Sequence, residues 1–177
     1  ENVKTLRHFK KCGVDLYRIN LSHTKFVDLK KKIIFLKKNI GINKICIDTE
    51  GAQIRTSYVK KPRLLKIDEK FLFGFDKNAD FKLYPTFSIS NLKIGSKVQV
   101  GFDDLDLKIT KKLKDKIECK VISSGLIGSN KGVHFENNIK LNTLTEKDYK
   151  CIDLASKLGV TNFALSFANK PSDINVI

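Results

Sequence analysis

The feature that most constrains this chain is a change of pattern near residue 51. Before that point, apolar residues recur at helical spacing in residues 2–12 and 26–40, and a short apolar strand follows each helix. Strands that alternate with helices pair in parallel, because each crossover helix returns the chain to the same end of the sheet. From residue 51 to residue 140 the helical periodicity is absent.

Short alternating segments separated by turn residues fill this middle region and predict a small all-β unit. They include the segments FLFGF, KVQVGF and KIECKVISSG. After it, Thr145 and Asp148 have the spacing of a capping box, which predicts a helix, and the strand-like segment TNFALSF follows. The chain is therefore predicted to be an α/β unit in two parts, 1–50 and 141–177, with an inserted β domain at 51–140.

The chain carries a formal net charge of +15, which raises the question of nucleic-acid binding. Its lysines are spread over the whole length and are not interleaved with aromatic residues. We therefore predict no nucleic-acid partner, although a basic field would favour the approach of an anionic substrate. No apolar run has the length needed to span a bilayer, so no membrane partner is predicted.

Four cysteines lie far apart in the sequence, and none forms a CxxC pair: Cys12, Cys46, Cys119 and Cys151. This spacing does not favour a zinc site. Scattered thiols are typical of proteins in a reducing compartment, so the expected location is the cytoplasm, or else an organellar matrix.

Polar residues end each of the three predicted parallel strands, where parallel α/β folds gather their functional groups. In chain order they are Arg18, Asn20, Ser22 and His23, then Asp48, Thr49 and Arg55, and finally Ser166. Guanidinium groups suit phosphate or carboxylate, and these neutral and acidic oxygens suit an alkali or alkaline-earth cation. Taken singly, each residue also fits a structural role at a strand end, and no Ser-His-Asp triad is indicated.

Six motifs of the chain resemble those of pyruvate kinases, in the family's order and at its approximate spacing. They are YRINLSH, CIDTEGAQIRT, VGFDDLDLKI, LIGSNKGVHF, LTEKDY and FALSF. The resemblance implies an α/β fold, a partial (β/α)₈ TIM-type barrel interrupted by a small all-β lid domain. It also implies transfer of a phosphoryl group from phosphoenolpyruvate to ADP in glycolysis, with Mg²⁺ and K⁺ as cofactors.

The resemblance implies roles for individual residues by position. Two catalytic arginines near the transferred phosphate correspond to Arg18 and Arg55. The substrate site, which Arg18 shares, corresponds to Ser166 and Phe167. The nucleotide-binding residues correspond to His23, Lys131 and Asp103. The ligands of the monovalent cation correspond to Asn20, Ser22, Asp48 and Thr49.

The chain departs from the family pattern at several positions, among them four in its motifs, at KGVHFENN, and after SF, where Asn169 lies near the position of a family arginine. Glu50, Ala52, Gln53 and Leu105 stand where the family has lysine, proline, glutamate and glycine. Glu50 is expected to reverse a charge beside the site.

The family's catalytic lysine and its magnesium carboxylates come from later strands. The segment alone is therefore expected not to be competent, and an oligomer would form through other parts. Two alternatives stay open: a pyruvate-kinase-like module that binds anions or nucleotide without catalysis, or a structural or regulatory domain.

Overall fold

The computed structural model describes residues 2–101 and 105–177. The chain divides into two compact units, one formed by Glu1–Ala52 with Asn142–Ile177 and the other by Gln53–Leu141. None of the helices in these described ranges is long and apolar enough to cross a membrane.

Three α-helices and twelve strands make up the described chain. In chain order they are α1 (Val3–Lys11), β1 (Tyr17–Asn20), α2 (Phe26–Ile40), β2 (Ile45–Asp48), β3 (Arg55–Thr56), β4 (Arg63–Leu65), β5 (Lys70–Gly74), β6 (Phe81–Tyr84), β7 (Lys97–Val100), β8 (Leu105–Lys112), β9 (Lys116–Ser123), β10 (Gly125–Ile127), β11 (Val133–Phe135), α3 (Glu146–Lys157) and β12 (Asn162–Ala164). Short 3-10 turns lie at Leu21–His23, Ile42–Lys44 and Pro171–Val176.

The first unit is built on a sheet of three parallel strands in the order β1, β2, β12, as the alternation of helix and strand predicted. All four residues of the central strand β2 are buried. Leu29 and Ile33 of α2 and Ala155 of α3 belong to the same buried cluster as Ile45 and Ile47 of β2. These apolar contacts fix both helices to the sheet and leave the strand ends to polar groups.

Helix α3 begins at the predicted capping box. The Thr145 hydroxyl accepts a hydrogen bond from the amide of Asp148, and the Asp148 carboxylate accepts one from the amide of Thr145. These two bonds satisfy donors that a helix start otherwise leaves unpaired.

The second unit contains a seven-stranded sheet in the order β11, β7, β8, β9, β5, β6, β3 and a separate pair formed by β10 and β4. Neighbouring strands are antiparallel except for β5 and β6. Phe71, Phe73 and Phe81 are buried in its core, with Phe71 edge-on to each of the other two rings at 5.1 and 5.2 Å. The predicted run of strands is confirmed, and β3, β6, β10 and β11 add four short strands that the alternation did not identify.

Candidate functional site

The carboxylate of Asp48 joins the ends of all three strands of the first unit. Its Oδ2 lies 3.2 Å from an Arg18 guanidinium nitrogen on β1, and its Oδ1 accepts a hydrogen bond of 2.6 Å from the Ser166 hydroxyl after β12. The Asp48 side chain is only 4% exposed, whereas that of Arg18 is 64% exposed. Asp48 thus anchors an arginine whose five N–H donors can reach an anion in solvent.

The residues predicted to bind a cation lie at neighbouring strand ends. The parallel register pairs Asn20 with Asp48, so both residues stand at the same edge of the sheet. The Asn20 side-chain oxygen accepts a hydrogen bond of 2.8 Å from the Ser22 amide, and the buried Thr49 hydroxyl accepts one of 3.0 Å from the Ser166 amide. Amide, hydroxyl and carboxylate oxygens each have further lone pairs, so this set could hold a hard monovalent cation.

Among the described residues, no cluster of three or more His, Cys, Asp or Glu side chains could hold a metal ion. Among the oxygens predicted to bind the cation, that of Asp48 is from a carboxylate and the others are neutral.

A cavity of about 510 Å³ opens beside Arg18 in the first unit. Arg18, Asn20, His23 and Lys32 contribute its polar lining. Its apolar lining consists of Leu6, Ile19, Phe35 and Leu36. The volume falls in the range of small-molecule sites, and an apolar wall with cationic groups suits a ligand with both a ring and phosphates.

Glu50 does not leave an uncompensated negative charge at the strand ends. Its Oε1 lies 2.7 Å from the Lys147 ammonium nitrogen, and its Oε2 accepts a hydrogen bond of 3.3 Å from the Thr145 hydroxyl. Lys147 also donates a hydrogen bond of 2.6 Å to the carbonyl of Leu21. The charge reversal expected from the sequence is therefore neutralised within the first unit.

Asp148, predicted only as part of a helix cap, also holds the chain after β2. Its carboxylate accepts hydrogen bonds from the amides of Glu50 at 2.7 Å and Gly51 at 3.1 Å, and its side chain is fully buried. The capping-box spacing indicated the helix start. No local pattern could indicate partners that lie 97 and 98 residues away.

Gly51 lies against the turn that follows β12. Its φ of 66° is in the left-handed region, and a Cβ placed on it would overlap the main-chain oxygen of Ser166. Phe167, the next residue, also has a positive φ of 58° and is 43% exposed. This close approach brings the predicted substrate residues Ser166 and Phe167 to the same edge as Asp48.

Arg55 and Lys131 belong to the second unit and lie beside each other there. An Arg55 guanidinium nitrogen donates to the carbonyl of Asn130 at 3.5 Å, and Arg55 forms an isolated bridge with Gly132. The amide of Lys131 donates a hydrogen bond of 2.8 Å to the hydroxyl of Thr56. The third residue predicted on this domain, Asp103, lies outside the described residues.

Buried thiols lie in both units, and all four cysteines are free. Burial raises the pKa of the Cys46 thiol, as does the neighbouring Asp48 charge, while Arg18 lowers it. Burial also raises the pKa of Cys119 to about 12 and that of Cys151 to about 11. These thiols stay protonated at neutral pH, which does not suit them to nucleophilic chemistry.

Comparison with known proteins places the whole chain in one family. The family described as pyruvate kinase, barrel domain, matches residues 1–177. The pyruvate kinase of Borreliella burgdorferi is 28% identical over 98% of this chain and 37% of its own length. That of Clostridium perfringens is 29% identical over 98% of this chain and 39% of its own length.

The crystal structure of Cryptosporidium parvum pyruvate kinase matches with a TM-score of 0.85 and 25% sequence identity, over 99% of this chain and 39% of that chain. This match confirms the predicted fold class, a partial barrel with an inserted β domain. The chain spans about two-fifths of the length of the relatives it matches.

Proposed function

We propose, because this chain belongs to the pyruvate kinase family, that it supplies part of the active site of a phosphotransferase. The reaction moves a phosphoryl group from phosphoenolpyruvate to ADP and yields pyruvate and ATP. The observation that carries the proposal is the joining of Arg18, Asp48 and Ser166 at the ends of three parallel strands.

Arg18 is the residue proposed to hold the transferred phosphate. Phosphoryl transfer depends on positioning and on cations that neutralise the charge of the equatorial oxygens. Arg18 meets both needs, since Asp48 holds one end of its guanidinium while most of the side chain faces solvent. Arg55 of the second unit is proposed to contribute a second guanidinium to the same phosphate, and Ser166 and Phe167 to line the substrate site.

The monovalent cation is proposed to be K⁺, held by oxygens of Asn20, Ser22, Asp48 and Thr49. When bound, the ion would add positive charge close to the transferred phosphate. Its proposed ligands come from two paired strand ends, and Asp48 is the only charged residue among them. Mg²⁺ demands a near-ideal octahedral set of ligands and keeps several of its waters, whereas a set made mostly of neutral protein oxygens suits a large, weakly hydrated monovalent ion.

The nucleotide is proposed to enter the cavity beside Arg18. His23 and Lys32 line that cavity, and its apolar wall can accept a base. Lys131 of the inserted domain is proposed to approach the nucleotide phosphates, and Asp103 is proposed as a further nucleotide-binding residue. Mg²⁺ would be bound by carboxylates supplied outside this segment, and the enzyme is proposed to act in the cytoplasm and to assemble through parts outside it.

A binding module without catalysis is a second candidate, favoured by one observation. The cavity and its cationic residues lie wholly within the first unit, so binding of an anion or nucleotide requires nothing from elsewhere. Calorimetry with ADP, together with an assay of ATP formation, separates the two: binding without turnover would favour the module.

The test uses the protein expressed from its complete reading frame, with ATP formation from phosphoenolpyruvate and ADP as the readout. Replacing Arg18 with methionine should lower turnover on the order of a hundredfold, the scale for loss of one transition-state donor. The thermal midpoint should also fall, because the buried Asp48 carboxylate loses the positive charge beside it and keeps the hydrogen bond from Ser166. The matched control is Arg7→Met, an exposed arginine of α1. Equal losses of turnover in both variants would contradict the proposal.

A further inference from the structure

One lysine of α3 connects the ends of β1 and β2. The ammonium nitrogen of Lys147 lies 2.6 Å from the carbonyl oxygen of Leu21 and 2.7 Å from the Glu50 carboxylate. Leu21 is fully buried and begins the 3-10 turn after β1, and Glu50 comes two residues after the end of β2. The side chain of Lys147 therefore spans the gap between the two strand ends.

The position of Lys147 is unfavourable without these partners. It is the second residue of α3, where the helix dipole favours negative charge and opposes a cation. Its side chain is 26% exposed and that of Glu50 is 9% exposed, so water screens the pair only in part. The Glu50 carboxylate and the Leu21 carbonyl thus explain why a positively charged side chain, that of Lys147, is tolerated in the first turn of the helix.

We infer that Glu50 and Lys147 are positioning residues that set the spacing between the turn after β1 and the end of β2. This inference rests on the proposed function, because Asn20 at the end of β1 and Ser22 in that turn face Asp48 and Thr49 at the end of β2 as proposed ligands of one cation. The spacing between these two pairs of oxygens decides which cation fits between them, since cavity size is one basis of cation selectivity. The pair would hold the cation-binding oxygens at the distance that K⁺ requires without contacting the ion.

The β1–β2 ladder fixes the strands as far as Asn20 and Asp48, so the residues beyond it, Ser22 and Thr49, need other contacts to hold their spacing. Asp148 holds the amides of Glu50 and Gly51 and so fixes the chain after β2, but it makes no hydrogen bond to the turn after β1 among those described. Asp48 bonds to Arg18 on β1, before the turn. The ammonium group of Lys147 donates hydrogen bonds to both the turn after β1 and the chain after β2.

The test compares Lys147→Met with Lys157→Met in the protein made from its complete reading frame. Lys157 is on the same helix, is 72% exposed and pairs with Asp153 at 2.7 Å. The readout is the rise in thermal midpoint with added KCl relative to LiCl at equal ionic strength. For Lys147→Met, the K⁺ concentration giving half of that rise should increase roughly tenfold to a hundredfold, the scale for losing an outer-shell partner. Lys157→Met should match the wild type.

Two further variants keep the test decisive if Lys147→Met does not fold. Lys147→Arg retains donors for both partners, so its K⁺ dependence should lie nearer to the wild type than that of Glu50→Ala, which removes the carboxylate that holds the Lys147 ammonium group. Reversal of this order would overturn the inference. So would an unchanged K⁺ dependence in Lys147→Met accompanied only by a lower midpoint, because that is the signature of a purely structural pair.

Amide hydrogen exchange separates this inference from the proposed function. The amides of Ser22 and Thr24 are bonded within the turn, to the Asn20 side chain at 2.8 Å and the Leu21 carbonyl at 3.2 Å. Both should exchange faster in Lys147→Met than in Lys157→Met. A wild type that shows no K⁺-specific rise would refute the cation site alone; unchanged exchange in the turn would refute the positioning role.

Discussion

Replacing Asp148 with alanine should strongly destabilise the first unit. The substitution removes the acceptor for three backbone amides, those of Glu50, Gly51 and Thr145, at 2.7, 3.1 and 2.9 Å. Each buried donor left unpaired costs about 1–3 kcal/mol. Since water can reach part of the vacated space, we expect a loss of about 3–6 kcal/mol in the free energy of unfolding. A whole domain is stable by only about 5–15 kcal/mol, so the effect is large.

The measurement is urea unfolding followed by circular dichroism, together with amide hydrogen exchange. Exchange assigns the loss to the first unit, because the amides of Glu50 and Gly51 should lose their protection. Asp153→Ala is the control on the same helix. Because Asp153 is 62% exposed and pairs with the exposed Lys157, this variant should lose about 0–1 kcal/mol in the free energy of unfolding. Asp148→Asn, which keeps one oxygen acceptor, should fall between the two. Equal free energies for the Asp148→Ala and Asp153→Ala variants would refute the reasoning.

Two other predictions concern the backbone and the pH dependence of the first unit. Gly51→Ala should cost about 3 kcal/mol or more in urea unfolding, because left-handed strain of about 1–2 kcal/mol adds to the overlap with Ser166. Gly13 has a similar φ of 77° and open space around it, so Gly13→Ala should show the cost of backbone strain alone. Similar losses of unfolding free energy in the two variants would exclude a contribution from overlap with Ser166. Hydrogen bonds from two neighbouring backbone amides lower the pKa of Asp173. Its stabilising effect should therefore be present above the ordinary aspartate pKa of about 3.9 and be lost as the pH falls through the lower folded value. Asp173→Asn should flatten the decline of the thermal midpoint below about pH 4, and an unaltered decline would contradict this.

The main elements were predictable because their patterns are long. Helix α2 has apolar residues three and four apart over 15 residues, and the structure places it at Phe26–Ile40. Strands β3, β10 and β11 have two or three residues each, too few to show an alternation. They depend instead on neighbouring strands for their hydrogen bonds, which a local pattern does not reveal.

The sequence was enough to predict which residues of the candidate site lie at strand ends, but not which of their side chains contact each other. The parallel arrangement predicted that Asn20 and Asp48 would meet, and the register pairs them. The sequence did not indicate that Asp48 would bind both Arg18 and Ser166. Nor did it reveal that the charge of Glu50 would be balanced by Lys147, 97 residues later. Such pairs arise from tertiary structure and leave no periodic signal in the chain.

The hydrogen bonds of Asp148 affect how freely the length of the inserted domain can vary. Gly51 lies just before the insertion and Thr145 just after it, and one carboxylate binds the amides of both. Hydrogen bonds within the first unit thus hold the two ends of the insertion together. The entropic cost of closing this loop is therefore offset by contacts within the first unit. Each doubling of such a loop costs only about 0.6 kcal/mol more. With its base fixed in this way, the insertion can lengthen or shorten at little cost to the sheet from which it emerges.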